Sequence, residues 1–419
     1  MEFVHIKDVL EGKYSGKEVS LRGWIYRKRD QKDIIFLMLR DSTGVIQLAC
    51  KGVKEAPQST IESSIEVSGK IKEDKRAPGG FEIEVKNLKI IGLAERFPIA
   101  KDLSDEFLRD VRHLWLRSQK LTNIFKIRSE VFRAIDDFCR SRGYVEIQSP
   151  IFTTAACEGG STLFEVKYFD KKLYLSQSWQ LYAEAMIQSL EKIYTITPAF
   201  RAEKSRTTRH LAEYWTAEVE SAWTDFNEIL EFEEDMIVHV ISHVLKHCEK
   251  ELKDLGRDIS KLKEIKKPFK RITYKEAIEK VGKKWGDDIT DKEEKELLEK
   301  LGNKPIFLTL FPRELKAFYM RPNPKDPKVV LAGDLLVPEI GEIIGGSERI
   351  YDIKELIESL EIFKLDKKCY EWYLDLRRYG TVPHSGFGLG IERLVMWISG
   401  AEHIMDTIPF PRTMTRVYP

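Results

Sequence analysis

The sequence lacks the features that mark several classes of protein. No apolar run approaches the roughly 20 residues of a membrane span, and the N-terminus lacks the apolar stretch of a signal peptide. The five cysteines are scattered, at Cys50, Cys139, Cys157, Cys248 and Cys369. Without a C-x-x-C pair they indicate neither a zinc knuckle nor a redox motif, and they favour a reducing compartment. We therefore expect a soluble cytoplasmic protein.

The chain also has almost no net charge, and it contains no internal repeat or low-complexity tract. Lys and Arg number 69 and Asp and Glu number 68, which leaves a formal net charge of +1. Because a general excess of positive charge is absent, any nucleic-acid partner has to be recognised by a local patch. The length of 419 residues is too great for one small core and predicts two or three domains.

Short strand-like runs separated by turn signals fill residues 1–92. The runs are EVSLRGWIYRKR, DIIFLMLRD, GVIQLAC, SIEVSGKI and FEIEVKNLKII. Five strands in fewer than a hundred residues predict a small all-β barrel. We place the end of this domain at residue 92 and interpret residues 93–120 as a hinge.

Residues 121–419 mix helices with longer apolar strands. Apolar residues spaced by three or four predict a long helix that stops at Gly143. The predicted strands are KIYTITPAFRAE, AEYWTAEVESAW, KPIFLTLFP and KVVLAGDLLVP, and they do not alternate with crossover helices. We therefore predict an α+β domain with an antiparallel sheet and flanking helices. Residues 225–300 are helical and charged, and we interpret the run DKEEKELLEK within them as a solvated helix face.

The stretch FRAEKSRTTRHLAEYWTAEVE, residues 200–220, concentrates charge between two apolar strands. Residues two apart in a strand share a face, so Arg201 and Glu203 point the same way, as do Glu218 and Glu220. A strand face with fixed charges of both signs suits a polyanionic ligand with a cationic group. Ion pairs within the sheet are the alternative interpretation. The loop adds donors with the geometry for phosphate: Lys204, Arg206, Arg209 and His210.

A second stretch, SGFGLGIERLVMW, places glycines at alternate positions before a helix. Gly386, Gly388 and Gly390 would let the backbone approach a flat ligand, and Arg393 follows one turn into the helix. A dinucleotide-binding fingerprint is excluded because its third glycine would fall at residue 391, which is Ile. The other explanation is that these glycines avoid steric crowding where the strand packs against the helix.

Together these stretches resemble a known family. Pro150 after a long helix, FRAE…RH, and G-x-G-x-G-x-x-R opening a helix resemble motifs 1, 2 and 3 of class II aminoacyl-tRNA synthetases. The segments EGG, SQSWQLY, GEIIGGSERI and RRYGTVPHSGFGLG resemble the branch of the aspartyl and asparaginyl enzymes. The resemblance covers essentially the whole chain. It implies an N-terminal OB-fold anticodon-binding barrel and a class II catalytic domain over residues 121–419.

The resemblance implies ATP and Mg²⁺ as cofactors. Arg201 and Arg393 are the implied catalytic residues, holding the α-phosphate and the γ-phosphate respectively. The other implied ATP contacts are Glu203, Arg209, His210, Tyr214 and Glu342. For the metal, Glu342 is the leading ligand and Asp334 the second, while Gly345 stands where aspartyl relatives have a serine that helps at the metal.

The amino-acid pocket departs from the aspartyl pattern. Aspartyl relatives read QSPQLYK, with a lysine that pairs with the substrate carboxylate, whereas this chain has Ala183 at that position. By resemblance, Arg349 reaches the side-chain oxygen, and Glu213 could accept from an amide nitrogen. The other implied amino-acid contacts are Glu158, Gln180 and Arg201. These residues favour the archaeal-type asparaginyl members, with asparagine and tRNA(Asn) as substrates.

Other functions stay open at this point. They are an aspartyl enzyme with altered recognition, a tRNA-independent ligase resembling asparagine synthetase, and an inactive paralogue. The barrel argues against the ligase, whose known examples lack it, and the presence of Arg201 and Arg393 argues against the inactive paralogue.

In the barrel, the basic run RGWIYRKRDQK offers Arg27 for anticodon binding, and the resemblance assigns Phe36 to stack on the central uracil and Gln47 to read its edge. An alternating strand could equally place Phe36 in the barrel core. The long helix of residues 120–142 and the strand at Pro150 match the motif that forms the family's two-fold interface, so we expect a homodimer.

Overall fold

The computed structural model describes residues 2–100, 103–154, 157, 162–203 and 209–419. The chain forms two compact units, Met1–Leu108 and Arg109–Pro419. Within the described residues, no helix is both long and apolar enough to cross a bilayer.

The first unit is a closed five-stranded barrel, as the sequence predicts. Its strands run around the barrel in the order β1-β2-β3-β5-β4, all neighbours being antiparallel except β3 and β5. The barrel interior is filled by the buried Ile, Leu and Val side chains that alternate along each strand. The elements are α1 Ile6–Leu10, β1 Glu18–Gln31, β2 Ile34–Arg40, β3 Val45–Cys50, β4 Ser64–Glu73 and β5 Phe81–Gly92.

The second unit is built on an eight-stranded sheet in the order β12-β13-β16-β17-β18-β11-β10-β6. Its strands are β6 Val145–Glu146, β10 Lys192–Phe200, β11 Glu213–Ala222, β12 Lys270–Thr273, β13 Ile306–Thr309, β16 Ala332–Val337, β17 Gly341–Glu348 and β18 His384–Gly390. Neighbours are antiparallel except the outer pairs β12–β13 and β10–β6. The predicted antiparallel sheet is thus confirmed at its centre and is mixed at its two edges.

Two small sheets and a set of helices complete this unit. One small sheet has the order β7-β9-β8, and the other pairs β14 with β15. The small strands are β7 Phe152–Thr153, β8 Glu165–Tyr168, β9 Lys171–Leu175, β14 Pro322–Asn323 and β15 Asp326–Val330. The helices are α2 Asp105–Asp110, α3 Arg112–Trp115, α4 Gln119–Ser141, α5 Gln180–Leu190, α6 Phe226–His247, α7 Glu249–Asp254, α8 Ile259–Lys263, α9 Tyr274–Val281, α10 Asp291–Lys300, α11 Ile353–Ile362, α12 Glu371–Arg378 and α13 Ile391–Ser399.

The predicted long helix is α4. Ser118 caps its start by accepting a hydrogen bond from the backbone of Leu121, and Gly143 follows its end with a φ of 80°. The residues that recur every three or four positions form its buried face, which includes Val131, Ile135 and Phe138. The sequence pattern therefore fixes both the helix and the side that it buries.

Two expectations about local structure need correction. The run KVVLAGDLLVP is not one strand, because the chain leaves β15 at Val330 and enters the large sheet as β16 at Ala332. Residues 225–300 are mostly helical but also contain β12, and their charged run is not simply a solvated face. The α10 run packs Leu297 and Leu298 into an apolar core and buries Glu294 beside Arg209.

Candidate active site

A cavity of about 640 Å³ lies on one face of the large sheet. Strands β11, β16, β17 and β18 supply its floor, and residues from both charged stretches of the sequence line it. The predicted site residues among its lining are Gln180, Arg201, Glu203, Arg209, His210, Tyr214, Asp334, Glu342, Arg349 and Arg393. The structure therefore brings residues from five separate segments into one place.

A row of small residues crosses the floor between two acids. Asp334, Gly345, Gly388 and Glu218 are successive partners across four neighbouring strands. Strands lie about 4.8 Å apart, so the two acids are separated by roughly 14 Å of backbone without side chains. A Cβ added at Gly388 would meet only ordinary contacts, the nearest being 3.7 Å away. Packing does not require this glycine, and the trough it leaves suits a flat ligand.

In the next row of strand partners along the sheet, side chains fill the space above the glycine. Gly386 lies between Glu220 and Ser347, and a Cβ there would collide with the Glu220 carboxylate. Glu220 binds Arg349 through both oxygens, with Nε to Oε1 at 3.1 Å and Nη2 to Oε2 at 3.0 Å. Arg349 also donates from Nη1 to Ser347 Oγ at 2.6 Å and from Nη2 to Gln180 Oε1 at 2.6 Å. Burial disfavours the charged form of Arg349, but Glu220 outweighs burial and the pKa of Arg349 is raised.

Gln180 connects this pair to a second buried cluster around Glu184. Its Nε2 donates to Glu184 Oε1 at 2.8 Å, and Glu184 also pairs with Arg377. His384 contacts the Val382 carbonyl through Nδ1 at 2.7 Å and Glu184 through Nε2 at 3.0 Å. Both partners are acceptors. Burial opposes ionisation of Glu184, yet Arg377 and His384 outweigh it and lower its pKa.

This cluster also contains the one group with metal-ligand spacing among the described residues. Glu184, Glu220 and His384 each offer a ligand atom within 4.8 Å of the others. Arg349 and Arg377 already neutralise the two carboxylates through hydrogen-bonded ion pairs. The group is therefore a charge-compensated network, not a site that needs a cation.

The opposite end of the cavity carries charges that remain partly accessible. The Arg201 side chain is 35% exposed and lies 3.8 Å from Glu203, with its guanidinium 5.8 Å from the centre of the Tyr214 ring. The Arg393 side chain is 21% exposed and donates to the Glu342 carbonyl at 2.8 Å. These cations have room to bind an anionic ligand, whereas Arg349 is enclosed by its protein partners.

Arg209 and His210 differ in how they reach the cavity. Arg209 donates to Glu294 Oε2 and to the Ile340 carbonyl, both at 2.7 Å, and it pairs with Asp291. His210 lies 3.7 Å from Glu203. Burial lowers the pKa of His210, and Arg393 adds to this shift against Glu203. At neutral pH His210 therefore favours its neutral form.

The two proposed metal ligands converge on one point. A Cβ built at Gly345 would lie 3.4 Å from Glu342 Oε1 and 3.6 Å from Asp334 Oδ1. Asp334 accepts from Lys316 Nζ at 2.7 and 2.6 Å. Burial raises the pKa of Asp334 to about 7, with Lys316 opposing the shift and Glu342 adding to it. Burial acts the same way on Glu342, but Arg393 and Lys316 outweigh it and its pKa is lowered.

The placements of five residues named from the sequence change or cannot be assessed. Glu213, which the sequence placed at the pocket, is not among the residues that line the cavity: the lining positions of β11 are Tyr214, Thr216 and Glu218, and alternation turns Glu213 to the other face. Ala183 is fully buried in an apolar cluster with Trp179 and does not line the cavity. Glu158, Lys204 and Arg206 lie outside the described residues.

Sequence reasoning missed several residues of the site. Lys316 and Glu184 carry no motif signal, because each gains its partner only through the fold. Glu218 was placed on the charged strand floor by the sequence but was given no substrate contact, although it has the same strand parity as Tyr214 and faces the same side. Its carboxylate accepts from Ser178 Oγ and marks one end of the glycine row.

In the first unit, the three predicted anticodon residues share the outer face of the barrel. Arg27 pairs with Met38, which pairs with Gln47, while Phe36 lies two positions along β2. Phe36 is partly exposed and is not part of the barrel core, which takes Leu37 and Leu39 instead. Gln47 donates to Glu82 Oε2 at 3.0 Å.

Comparison with known families agrees with this geometry. Residues 104–414 match the family described as tRNA synthetases class II (D, K and N), and residues 19–91 match the OB-fold nucleic acid binding domain. The asparagine–tRNA ligase of Thermoplasma acidophilum is 48% identical over 99% of both chains.

Solved structures give the same result. The Pyrococcus horikoshii asparaginyl-tRNA synthetase complexed with asparaginyl-adenylate matches with a TM-score of 0.96 and 44% identity, covering 100% of both chains. The Entamoeba histolytica asparaginyl-tRNA synthetase in complex with asparaginyl-adenylate also covers both chains completely, with a TM-score of 0.90 and 34% identity. The predicted fold, an OB-fold barrel followed by a class II catalytic domain, is confirmed. The chain belongs to the family of class II tRNA synthetases for D, K and N.

Proposed function

We propose that this chain is a cytoplasmic enzyme that attaches asparagine to tRNA(Asn), using ATP and passing through an asparaginyl-adenylate. The family membership supports the reaction type, and the high identity to enzymes named for asparagine supports the amino acid. The observation that carries the choice of asparagine is the hydrogen bonding of Arg349.

Arg349 has five N–H groups, and four of them are used. Nε and one Nη2 hydrogen bind Glu220, the other Nη2 hydrogen binds Gln180, and one Nη1 hydrogen binds Ser347. Within the described part of the chain, one Nη1 hydrogen is left for a ligand. A single donor suits the one oxygen of a carboxamide, whereas a carboxylate is best bound by two.

Glu218 supplies the complementary acceptor in this proposal. It takes the role that the sequence assigned to Glu213, because it lies on the cavity face of β11. An asparagine nitrogen can donate to Glu218, but the corresponding aspartate oxygen would repel it. A site built for a hydrogen-bond donor rejects an isostere that leaves the buried acceptor unpaired.

The part of the cavity around Arg201 and Arg393 acts in this proposal by positioning the substrates and neutralising their charge. Arg201 holds the α-phosphate next to the substrate carboxylate, Tyr214 stacks on the adenine, and Arg393 binds the γ-phosphate. The carboxylate then attacks phosphorus and pyrophosphate leaves, so no nucleophile from the protein is needed. Glu203, Arg209 and His210 complete the ATP contacts.

Mg²⁺ fits the carboxylate pair of this site. Glu342 and Asp334 aim oxygen atoms at the same point beside Gly345, and carboxylate oxygens are the ligands that a hard cation prefers. When bound, the ion supplies neutralisation of the negative charge of the triphosphate. Lys316 holds Asp334 by two short hydrogen bonds, so we assign Glu342 as the leading ligand.

The barrel provides tRNA recognition in this proposal. Phe36 is available on the outer face for base stacking, with Arg27 and Gln47 beside it on the same face.

Gln180 and Glu158 complete the amino-acid site by holding the α-ammonium group.

We further propose a homodimer formed through α4 and the strand that follows Pro150. The exposed apolar side chains of Val145 and Phe152 lie next to these elements, and β6 is an edge of the large sheet. Light scattering should give twice the chain mass of 48.8 kDa at micromolar concentration. A stable mass equal to one chain would contradict the dimer.

The central test is ATP–pyrophosphate exchange with asparagine and aspartate in parallel. We expect exchange with asparagine to exceed that with aspartate by at least about 100-fold at neutral pH. Residual aspartate exchange should increase as the pH falls, because a protonated carboxyl no longer repels Glu218. Equal exchange at neutral pH would support an aspartyl or non-discriminating enzyme instead. Formation of free asparagine from aspartate and ammonia without tRNA would support the synthetase-like ligase.

A further inference from the structure

Glu184 is a fully buried carboxylate that does not line the cavity but is connected to it. It lies on α5 four residues after Gln180, so the two side chains share a face of the helix. The Gln180 amide forms the connection, because its Oε1 accepts from Arg349 Nη2 at 2.6 Å and its Nε2 donates to Glu184 Oε1 at 2.8 Å. Gln180 and Arg349 both line the cavity, so only one side chain separates Glu184 from a ligand.

The orientation of the Gln180 amide is fixed from both sides. A guanidinium can only donate and a carboxylate can only accept, so the amide oxygen faces Arg349 and the amide nitrogen faces Glu184. In this orientation Gln180 accepts from Arg349 Nη2, and Glu220 accepts from the same nitrogen. Glu184 therefore helps to keep the hydrogens of Arg349 Nη2 occupied within the protein.

Glu184 also balances the charge of the buried network around Arg349. The network contains two carboxylates and two guanidinium groups, since Glu184 pairs with Arg377 and Glu220 pairs with Arg349. All four side chains are buried, and their formal charges cancel. A carboxamide ligand preserves this balance, whereas a carboxylate ligand adds a negative charge that no member of the network compensates.

We propose that Glu184 is a positioning residue for amino-acid selectivity, which acts on Arg349 through the Gln180 amide and through the charge of the network. The inference rests on the proposed function, in which Arg349 contacts the side chain of asparagine. Without the Glu184 charge, Arg349 should be free to bind a carboxylate through two N–H groups. Aspartate should then gain over asparagine although no residue that contacts the ligand has changed.

Glu184→Gln is the direct test, because it leaves one oxygen where the wild type has two. In the wild type Arg377 donates to Oε2, whereas Gln180 and Tyr373 donate to Oε1 at 2.8 and 2.6 Å. The cationic Arg377 should keep the remaining oxygen, so the new amide nitrogen faces Gln180 and favours the reversed Gln180 amide. Arg349 then loses an acceptor and the network gains a net positive charge.

The measurement is pyrophosphate exchange with both amino acids in one preparation, which gives the ratio of kcat/KM for aspartate to that for asparagine. The fraction of active protein cancels from this ratio, so a loss of stability alone does not change it. Glu184→Gln should raise the ratio by at least about tenfold. The matched control Tyr373→Phe removes a hydroxyl donor from the same carboxylate oxygen but keeps the charge and the Gln180 bond. It should change the ratio by less than about twofold.

Two further variants separate this role from a purely structural one. Gln180→Glu combined with Glu184→Gln moves the negative charge along α5 to a position where it again accepts from Arg349. The ratio should then return to within about threefold of the wild-type value. Gln180→Met leaves Glu184 paired with Arg377 but removes an acceptor of Arg349. It should raise the ratio by at least about threefold, even if Glu184→Gln does not fold.

The outcomes distinguish this inference from the proposed function. A wild type that exchanges aspartate as well as asparagine contradicts the proposed function. A selective wild type whose ratio is unchanged in folded Glu184→Gln or in Gln180→Met overturns the role of Glu184. The same conclusion follows if the double variant shows no recovery, or if Tyr373→Phe changes the ratio as much as Glu184→Gln does.

Discussion

The two ends of the catalytic cavity, to which the proposed function assigns the amino acid and the phosphates, differ in how they handle charge. At the amino-acid end, the side chains of Arg349 and Glu220 are 3% and 0% exposed and bind each other through two hydrogen bonds. At the phosphate end, Arg201 and Arg393 keep 35% and 21% of their side chains exposed. At the first end the ion pair is formed before a ligand binds and, among the described residues, leaves one Arg349 hydrogen for it, whereas the second end has cations that can still take an anion.

This difference shows how one site can be both selective and reactive. Selectivity between similar amino acids needs fixed donors and acceptors, so the network that holds Arg349 has little freedom to adjust. Activation needs charge that acts most strongly on the transition state, and in the proposed reaction the accessible arginines supply it. Substitutions at the two ends should therefore fail in different ways.

The largest effect is expected for Arg201→Ala. Loss of a cation at the reacting phosphate should lower pyrophosphate exchange by about 10²- to 10³-fold. The melting temperature should hardly change, because Arg201 is partly exposed and its Glu203 contact is long, at 3.8 Å. The control Arg378→Ala, which removes an exposed ion pair, should leave exchange intact. If Arg201→Ala instead unfolds the protein, the charged stretch is chiefly structural.

At the amino-acid end, Glu220→Gln should affect stability and selectivity together. The change leaves the buried Arg349 without its counter-charge, which should cost about 3 kcal/mol of unfolding free energy. Exchange with aspartate should increase relative to asparagine, because the released guanidinium can bind a carboxylate. Denaturant unfolding and parallel exchange assays measure the two effects. Glu358→Gln, which removes an exposed carboxylate from its ion pair with Arg313, is the matched control, and a similar result for both variants would refute the contrast between the ends.

Phe36→Ala tests the barrel, whose contribution should depend on neither end of the catalytic cavity. Loss of one stacked base should weaken tRNA charging by about 1–3 kcal/mol while amino-acid exchange stays nearly unchanged. Phe3→Ala removes another exposed phenylalanine of the same unit and should have little effect on charging. A parallel fall in exchange and in melting temperature would show that Phe36 acts only through barrel stability.

The smallest effect concerns Glu233, behind the floor of the cavity. Glu233 is fully buried on α6, neither carboxylate oxygen has a hydrogen-bond partner among the described residues, and burial raises its pKa well above the usual value. The folded chain then keeps a proton that the unfolded chain releases, so this residue lowers stability as the pH rises above its unfolded pKa.

Glu233→Gln removes this titration. The melting temperature of the variant relative to wild type should therefore increase between about pH 5 and about pH 8, by roughly 2–4 °C. Glu231→Gln, an exposed change on the same helix, should show no such trend. A pH-independent difference for Glu233→Gln would mean that Glu233 is ionised in the folded protein.

Much of the fold and part of the site follow from local patterns in the sequence. Alternation predicts the five barrel strands, and spacing with Gly143 predicts α4, because both depend on residues close in the chain. Motif resemblance selects Arg201, Arg349 and Arg393, which do line the cavity.

The features that could not be predicted depend on which face of a strand each residue occupies and on contacts between distant segments. Glu213 and Glu218 differ in parity, and only the register of β11 decides which of them faces the cavity. Lys316 meets Asp334 through a turn that carries no motif, and α10 binds Arg209 from more than eighty positions away. Such pairings are determined by tertiary packing, which local propensity does not contain.

The link between Arg209 and α10 has a consequence for redesign of the chain. The helical residues 225–300 are a natural target for exchange between relatives, yet Asp291 and Glu294 hold Arg209, an arginine of the proposed ATP site. A chimaera that replaces residues 249–290 keeps both carboxylates. One that also replaces residues 291–294 leaves Arg209 with an unbalanced charge at the proposed triphosphate site. The permissible crossover point for domain shuffling in this enzyme therefore lies before Asp291.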